Sequence, residues 1–185
     1  MRICENRTVI ITGAGGGLGR AYALALGQAG ANVVVNDIRL EAAEQVASEV
    51  VAAGGKALAN QGDITSMAGA QSIVDAAVAA FGEVHVLVNN AGILRDRMFI
   101  SLSEEDWDLV MKVHLKGHFC LANILGRRWR DAAKAGHKIE ARIINTSSGA
   151  GLQGSIGQSN YSAAKGGIAS LTLVQAAEMA RYGIT

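Results

Sequence analysis

The 185-residue sequence has no proline, only two cysteines, few aromatic side chains and no excess of charge of either sign. At an average usage of about 5%, a chain of this length carries roughly nine prolines, and the one reading of their absence is that Pro-bearing segments lie outside this chain. Cys4 and Cys120 stand far apart, without C-x-x-C or any other ligand spacing, which excludes a disulfide framework and a zinc site and predicts reduced, buried thiols. The balance of 17 Lys+Arg against 16 Asp+Glu leaves no basic footprint for nucleic acid or an anionic membrane surface, so small-molecule partners are expected. No run of about eighteen apolar residues occurs, which excludes a membrane-spanning helix of ordinary length. The stretch from Met1 to a strand beginning near Thr8 has no room for a secretory signal, and the expected compartment is the cytoplasm.

What is present is apolar and periodic. Half of the residues are hydrophobic and 18% charged, which fits one compact domain over residues 1–185. Short β-branched runs at Thr8–Thr12, Asn32–Asp37, Ala57–Gln61, Val84–Asn89 and Ala141–Thr146 read as strands. Between and after them, Leu18–Ala29, Leu40–Ala53, Ser66–Phe81, Ser103–Arg130 and Asn160–Tyr182 have helical length and period. Gly30, Gly54, Gly82, Gly136 and Gly183 fall at the proposed helix ends, where a left-handed residue terminates a helix. Five βα units joined by right-handed crossovers make an α/β, doubly wound parallel sheet in three layers, α/β/α, with its ligand crevice at the carboxyl ends of the strands. In the last two helices apolar residues spread over more than one face, which predicts a subunit interface and a homo-oligomer, dimer or tetramer.

After the first strand comes Thr12-Gly13-Ala14-Gly15-Gly16-Gly17-Leu18-Gly19. A chain turning from strand into helix beside a pyrophosphate needs glycines where φ is positive and where the backbone must come close, and the free N–H groups of the helix start meet the phosphate charge. Gly13, Gly15, Gly17, Leu18 and Gly19 are therefore candidate cofactor contacts, and the missing Gly-Lys-Ser/Thr excludes a Walker loop. Asp37, ending the second strand, can accept both hydrogen bonds of an adenosine ribose diol and would repel a 2′-phosphate, so NAD is expected over NADP; Arg39 keeps NADP open. Asp63, followed by Ile64, is placed to meet the adenine, or else caps the helix starting near Ser66.

Tyr161 and Lys165 are spaced i, i+4 at the start of a helix and share a face. At about 5 Å and an effective dielectric of about 20, the ammonium and a phenolate attract by roughly 3 kcal/mol, which makes a tyrosine usable as a proton donor and acceptor. Thirteen residues before Tyr161, just past the fifth strand, Ser147 and Ser148 offer hydroxyls at the sheet edge that can hydrogen-bond a substrate oxygen as charge develops on it.

In these motifs the chain resembles a short-chain dehydrogenase/reductase, with its Rossmann-type sheet. Thr12-Gly13-x-x-x-Gly17-x-Gly19, Asn89-Asn90-Ala91-Gly92 after the fourth strand, Ser148, and Tyr161-x-x-x-Lys165 occur in the family's order and spacing. The resemblance implies Tyr161 as proton donor and acceptor, Lys165 as the group that binds nicotinamide ribose and assists the tyrosine, and Ser148, rather than Ser147, as partner of the substrate oxygen. It also implies Asn90 as a cofactor-contacting and strand-stabilising residue. The segments Gly92–Phe99 and Val113–Phe119 are similar to the (3R)-hydroxyacyl-CoA dehydrogenase module of peroxisomal multifunctional enzymes and to actinobacterial dehydrogenases, which implies 3-hydroxyacyl thioesters or other bulky secondary alcohols as substrates.

Two departures stand out. His114 occupies the place of an asparagine that in most of the family supports a water-linked proton relay to the lysine; an imidazole can also relay protons. His114 and His118 are i, i+4, but no third metal ligand is evident, and no metal is expected. The family continues past this point into a sixth strand, a cofactor loop and a substrate-covering lobe, so the fold is expected to be truncated after the fifth βα unit, with an unpaired edge at the fifth strand. The expected function is hydride transfer between NAD(H) and a secondary alcohol or ketone; the alternative is a non-catalytic dinucleotide-binding or oligomerising remnant of the same fold.

Overall fold

The computed structural model describes residues 2–185. Five strands, β1 (Thr8–Thr12), β2 (Asn32–Asn36), β3 (Lys56–Asn60), β4 (Val86–Asn89) and β5 (Arg142–Asn145), form one parallel sheet in the order β3-β2-β1-β4-β5. The connecting helices are α1 (Gly17–Gln28), α2 (Leu40–Ala52), α3 (Met67–Phe81), α4 (Glu104–Met111), α5 (Gly117–Lys134), α6 (Gly149–Gln153) and α7 (Ser159–Met179). Because side chains alternate along a strand, the sheet has two apolar faces. Val9, Ile11, Val33, Val35 and Val88 pack with α1 and α2 on one side. Ile10, Val34 and Leu87 pack with α3 and α5 on the other. The glycines expected to end helices do so with positive φ: Gly30 98°, Gly54 82°, Gly82 83°, Gly136 91° and Gly183 76°.

Four features differ from the sequence reading. The predicted helix Ser103–Arg130 is two α-helices joined by a π-helical turn, Lys112–Lys116, and runs on to Lys134. Its periodicity concealed the extra residue; Val110 before the π turn and His114 within it are both buried. Trp129, one of the apolar residues that spread over more than one face of that helix, is buried and donates its indole N–H to the Val84 carbonyl at 2.7 Å, so part of the apolar surface assigned to a subunit interface belongs to the core. The expected unpaired edge at β5 is partly covered: Ala141 and Ile143 donate to the carbonyls of Gly183 and Thr185, and Thr185 donates back to Ala141, the pattern of a parallel neighbour. Cys120 is buried as expected, whereas Cys4 is half-buried.

In this strand order the chain changes direction between β1 and β4, and the crevice between their carboxyl ends is where ligands of doubly wound sheets bind. Every motif singled out above converges on that edge.

Candidate active site

The switch point is held by one hydroxyl and one amide. Thr12 Oγ1 accepts the N–H groups of Asn90 and Ala91, both at 3.0 Å. The Asn90 side-chain amide donates to the carbonyls of Thr12 (3.0 Å) and Gly13 (3.3 Å), which ties the glycine loop to the end of β4. Gly13 adopts φ 61°, and a Cβ there would lie 2.7 Å from Ala91 Cα, so both conformation and space require glycine. Gly17 also has positive φ (52°) and starts α1, which has neither a side-chain cap nor an acidic residue in its first turn. A Cβ on Gly19 would run into the Gly13 carbonyl, while Leu18 beside it is exposed. This cradle of main-chain N–H groups, closed to side chains at Gly13 and Gly19, fits a dinucleotide pyrophosphate.

Asp37, one residue past β2, is buried beside the loop: Oδ2 accepts from Gly15 N and Oδ1 from Arg39 N, each at 3.0 Å. Its carboxylate fixes the loop and retains lone pairs for a ribose diol. Arg39 folds back on it with 3.5 Å between Nε and Oδ1, so the cation that kept NADP open is engaged by the carboxylate. Asp63 does not cap α3; Ser66 does, accepting from Gly69 N at 3.0 Å. Instead Asp63 accepts the N–H and the hydroxyl of Thr65. Burial pushes its carboxyl up, but these two hydrogen bonds and the charges of Lys112 and Lys116 outweigh it and hold the group below its ordinary range. The Ile64 side chain is buried in the core, which leaves only its backbone to face a cofactor.

The other end is assembled by α6 and α7. Ser147 donates its hydroxyl to the Lys165 carbonyl at 2.8 Å and is committed to structure. Ser148 caps α6, accepting from Ala150 N at 3.2 Å, and its own proton remains free to donate to a substrate oxygen. Helix α6 lies against the catalytic helix because both are glycine at the contact: a Cβ on Gly151 would lie 2.5 Å from Gly166 N. Lys165 is 3% exposed, with Nζ donating to Thr146 O at 2.5 Å and lying 5.6 Å from the centre of the Tyr161 ring. Burial lowers its pKa to about 8. The His114 ring meets Tyr161 edge to face, centroids 5.3 Å apart, and its Nε2 lies within 3.0 Å of both Ile93 N and Ile93 O. Burial first, and then the charge of Lys165, lower its pKa and favour the neutral ring, against the hydrogen bond to Ile93, which raises it.

Two contributors escaped the sequence reading. Asn160, fully buried next to the tyrosine, accepts from Tyr161 N and donates to the carbonyls of Arg95 and Asp106, pinning the start of α7 to the segment after β4. The glycine pair at 151 and 166 positions α6. A polar residue directly before the tyrosine and the Lys165-Gly166-Gly167 run were the available signals.

The glycine cradle, the Asp37 carboxylate beside it and the Ser148, Tyr161 and Lys165 group, with the lysine buried, on one sheet edge have the chemistry of a dinucleotide-binding oxidoreductase site. Residues 7–185 match the short chain dehydrogenase family, and the chain belongs to it. Membership implies a nicotinamide dinucleotide, NAD or NADP, as cofactor. The hydroxyacyl-CoA dehydrogenase ChsB1 of Mycobacterium tuberculosis is 46% identical over 97% of this chain and 59% of its own length. The peroxisomal multifunctional enzyme type 2 of mouse is 44% identical over 90% of this chain and 23% of its own. A crystal structure of a short chain dehydrogenase from Mycobacterium avium superposes with a TM-score of 0.96 at 54% identity, covering 99% of this chain and 66% of that one. The chain thus spans less than two thirds of these relatives. Among the described residues no helix is long and apolar enough to cross a membrane, and no three His, Cys, Asp or Glu side chains gather as a metal site.

Proposed function

We propose that this chain carries the catalytic residues of an NAD-dependent dehydrogenase that interconverts a secondary alcohol and a ketone, with 3-hydroxyacyl and 3-oxoacyl thioesters as the substrate class. The observation that carries the reading is the pairing of buried Lys165 with Tyr161 at the strand edge that also presents Ser148. Gly13, Gly15, Gly17, Gly19 and Asp37 would hold the dinucleotide, Asp37 favouring a free ribose diol over a 2′-phosphate. The bound nicotinamide supplies a hydride acceptor or donor. Ser148 orients the substrate oxygen through its free proton, and Tyr161 exchanges the hydroxyl proton with that oxygen. Lys165, charged below about pH 8, stabilises the phenolate formed on the tyrosine. The substrate class is supported by the similarity to the mycobacterial hydroxyacyl-CoA dehydrogenase and by the exposed apolar side chains Leu94, Met98, Phe99 and Ile156.

A second copy of the chain is proposed against α5 and α7, where Phe119, Leu173 and Val174 are exposed. Absorbance at 340 nm tests the enzymatic reading: NADH should be oxidised by acetoacetyl-CoA and faster than NADPH. Binding of NADH without oxidation across 3-oxoacyl thioesters and simple ketones would favour the non-catalytic remnant.

A further inference from the structure

His118, in the first turn of α5, is 1% exposed, and neither ring nitrogen has a hydrogen-bond partner among the described residues. A neutral imidazole always carries one N–H and one lone pair, and both need partners when buried. The same is true of two neighbours. Asn89 Oδ1 is buried and unpartnered, as is His114 Nδ1. Since His114 Nε2 can donate to Ile93 O or accept from Ile93 N but not both, its Nδ1 needs an acceptor or a donor in either tautomer.

The residues that carry these atoms are tied to the catalytic lysine through their backbone. Lys165 Nζ donates to Thr146 O, Thr146 N donates to Asn89 O at 3.0 Å, and the Asn89 amide donates to His118 O at 3.4 Å. The His118 ring faces the carbonyls of His114 and Asn89 without reaching hydrogen-bond geometry with either. Donors and acceptors in such a mixture, with no protein partner, are what a buried water satisfies.

Resting on the dehydrogenase reading above, we propose that His118 is a positioning residue for proton exchange at Lys165: its neutral ring, with Asn89 Oδ1 and His114 Nδ1, holds ordered water beside the lysine. Burial first, then the charges of Lys165 and His114, depress its pKa to about 3, so the ring orients water without becoming a cation itself. In alcohol oxidation the C–H electron pair leaves as hydride to the dinucleotide and the hydroxyl proton passes to Tyr161. That proton must then reach solvent, and water held at His118 gives Lys165 an inner exchange partner. The titratable groups facing this cluster are Lys165 and Tyr161 from α7 and His114 from the π turn.

The test compares His118→Leu and His118→Asn with wild type in the full chain. In cofactor-free protein, 15N NMR of Lys165 Nζ should show the acid dissociation constant rising about three- to tenfold in His118→Leu and returning toward wild type in His118→Asn. With NADH and acetoacetyl-CoA, kcat should fall roughly tenfold in His118→Leu with KM little changed, less than the 10²–10⁴ a direct acid/base group supplies. A folded His118→Leu with unchanged Lys165 titration and unchanged kcat overturns the proposal. Should that variant not fold, the wild-type ring decides: 15N shifts of His118 showing neither nitrogen hydrogen-bonded overturn it as well. Tyr161→Phe is the control, since activity in that variant sinks the dehydrogenase reading, whereas an inactive Tyr161→Phe beside a normal His118→Leu sinks only this inference.

Discussion

Lys165 is held in a folded state that disfavours its charge. The difference between the ordinary 10.5 and about 8 corresponds to about 3 kcal/mol against the protonated form, with Nζ hydrogen-bonded to Thr146 O. Because the folded value lies below the unfolded one, the unfolded chain binds more protons between about pH 8 and 10.5, so stability rises with pH across that window and the burden is complete below it. Lys165→Met should therefore fold at pH 7 with a melting temperature at or above wild type while losing turnover. A clear drop in melting temperature would show that the ammonium is a structural strut instead. The tyrosine, the lysine and their spacing were legible in the sequence because i, i+4 geometry needs no tertiary information. The choice of Ser148 over Ser147 came from family spacing alone; its physical reason, that Ser147 is spent on the Lys165 carbonyl, appears only in three dimensions.

At the scale of elements, the five strands, the doubly wound parallel sheet and four of the connecting helices could be read from periodicity and glycine punctuation. What could not be read is α6 and the π turn. Five residues, Gly149–Gln153, carry too little pattern to declare a helix, and a single extra residue inside a helix leaves its apolar stripe nearly intact. Both matter for the site, since α6 delivers Ser148 and the π turn delivers His114. The contact between Gly151 and Gly166 sets that delivery, and Gly151→Ala places a methyl 2.5 Å from backbone on both Gly166 and Lys165. The expected result is a stability loss of about 1–3 kcal/mol. Turnover should fall at least tenfold while NADH affinity, set by the distant glycine loop, stays within about twofold. Equal losses of NADH affinity and turnover would show that the two ends of the site are not separable in this way.

Over the whole molecule, the sheet is covered unevenly. Ile144, on the α1 and α2 side of β5, is 52% exposed, while Leu173 (73%) and Val174 (50%) are open on α7. The catalytic helix therefore has one face on the active site and another without a partner in the chain. A dimer or tetramer through α5 and α7 would stiffen the helix that carries Tyr161 and Lys165. Light scattering of the wild-type protein at micromolar concentration should report more than a monomer, and Leu173→Glu should reduce the mass; a monomeric wild type contradicts the interface. The doubly wound architecture explains why so much of the site was legible: strands deliver their carboxyl ends to one edge whatever their order, so motifs placed after β1, β2, β4 and β5 must meet.

That meeting is worth most to function if Tyr161 moves the proton, and one variant addresses it. Tyr161→Phe keeps the ring that packs against His114 and removes only the hydroxyl. Followed at 340 nm with NADH and acetoacetyl-CoA, it should lose at least about 10³-fold in kcat, as expected for a group that transfers the proton directly, with NADH affinity unchanged. Retention of more than a tenth of wild-type turnover would contradict the assignment.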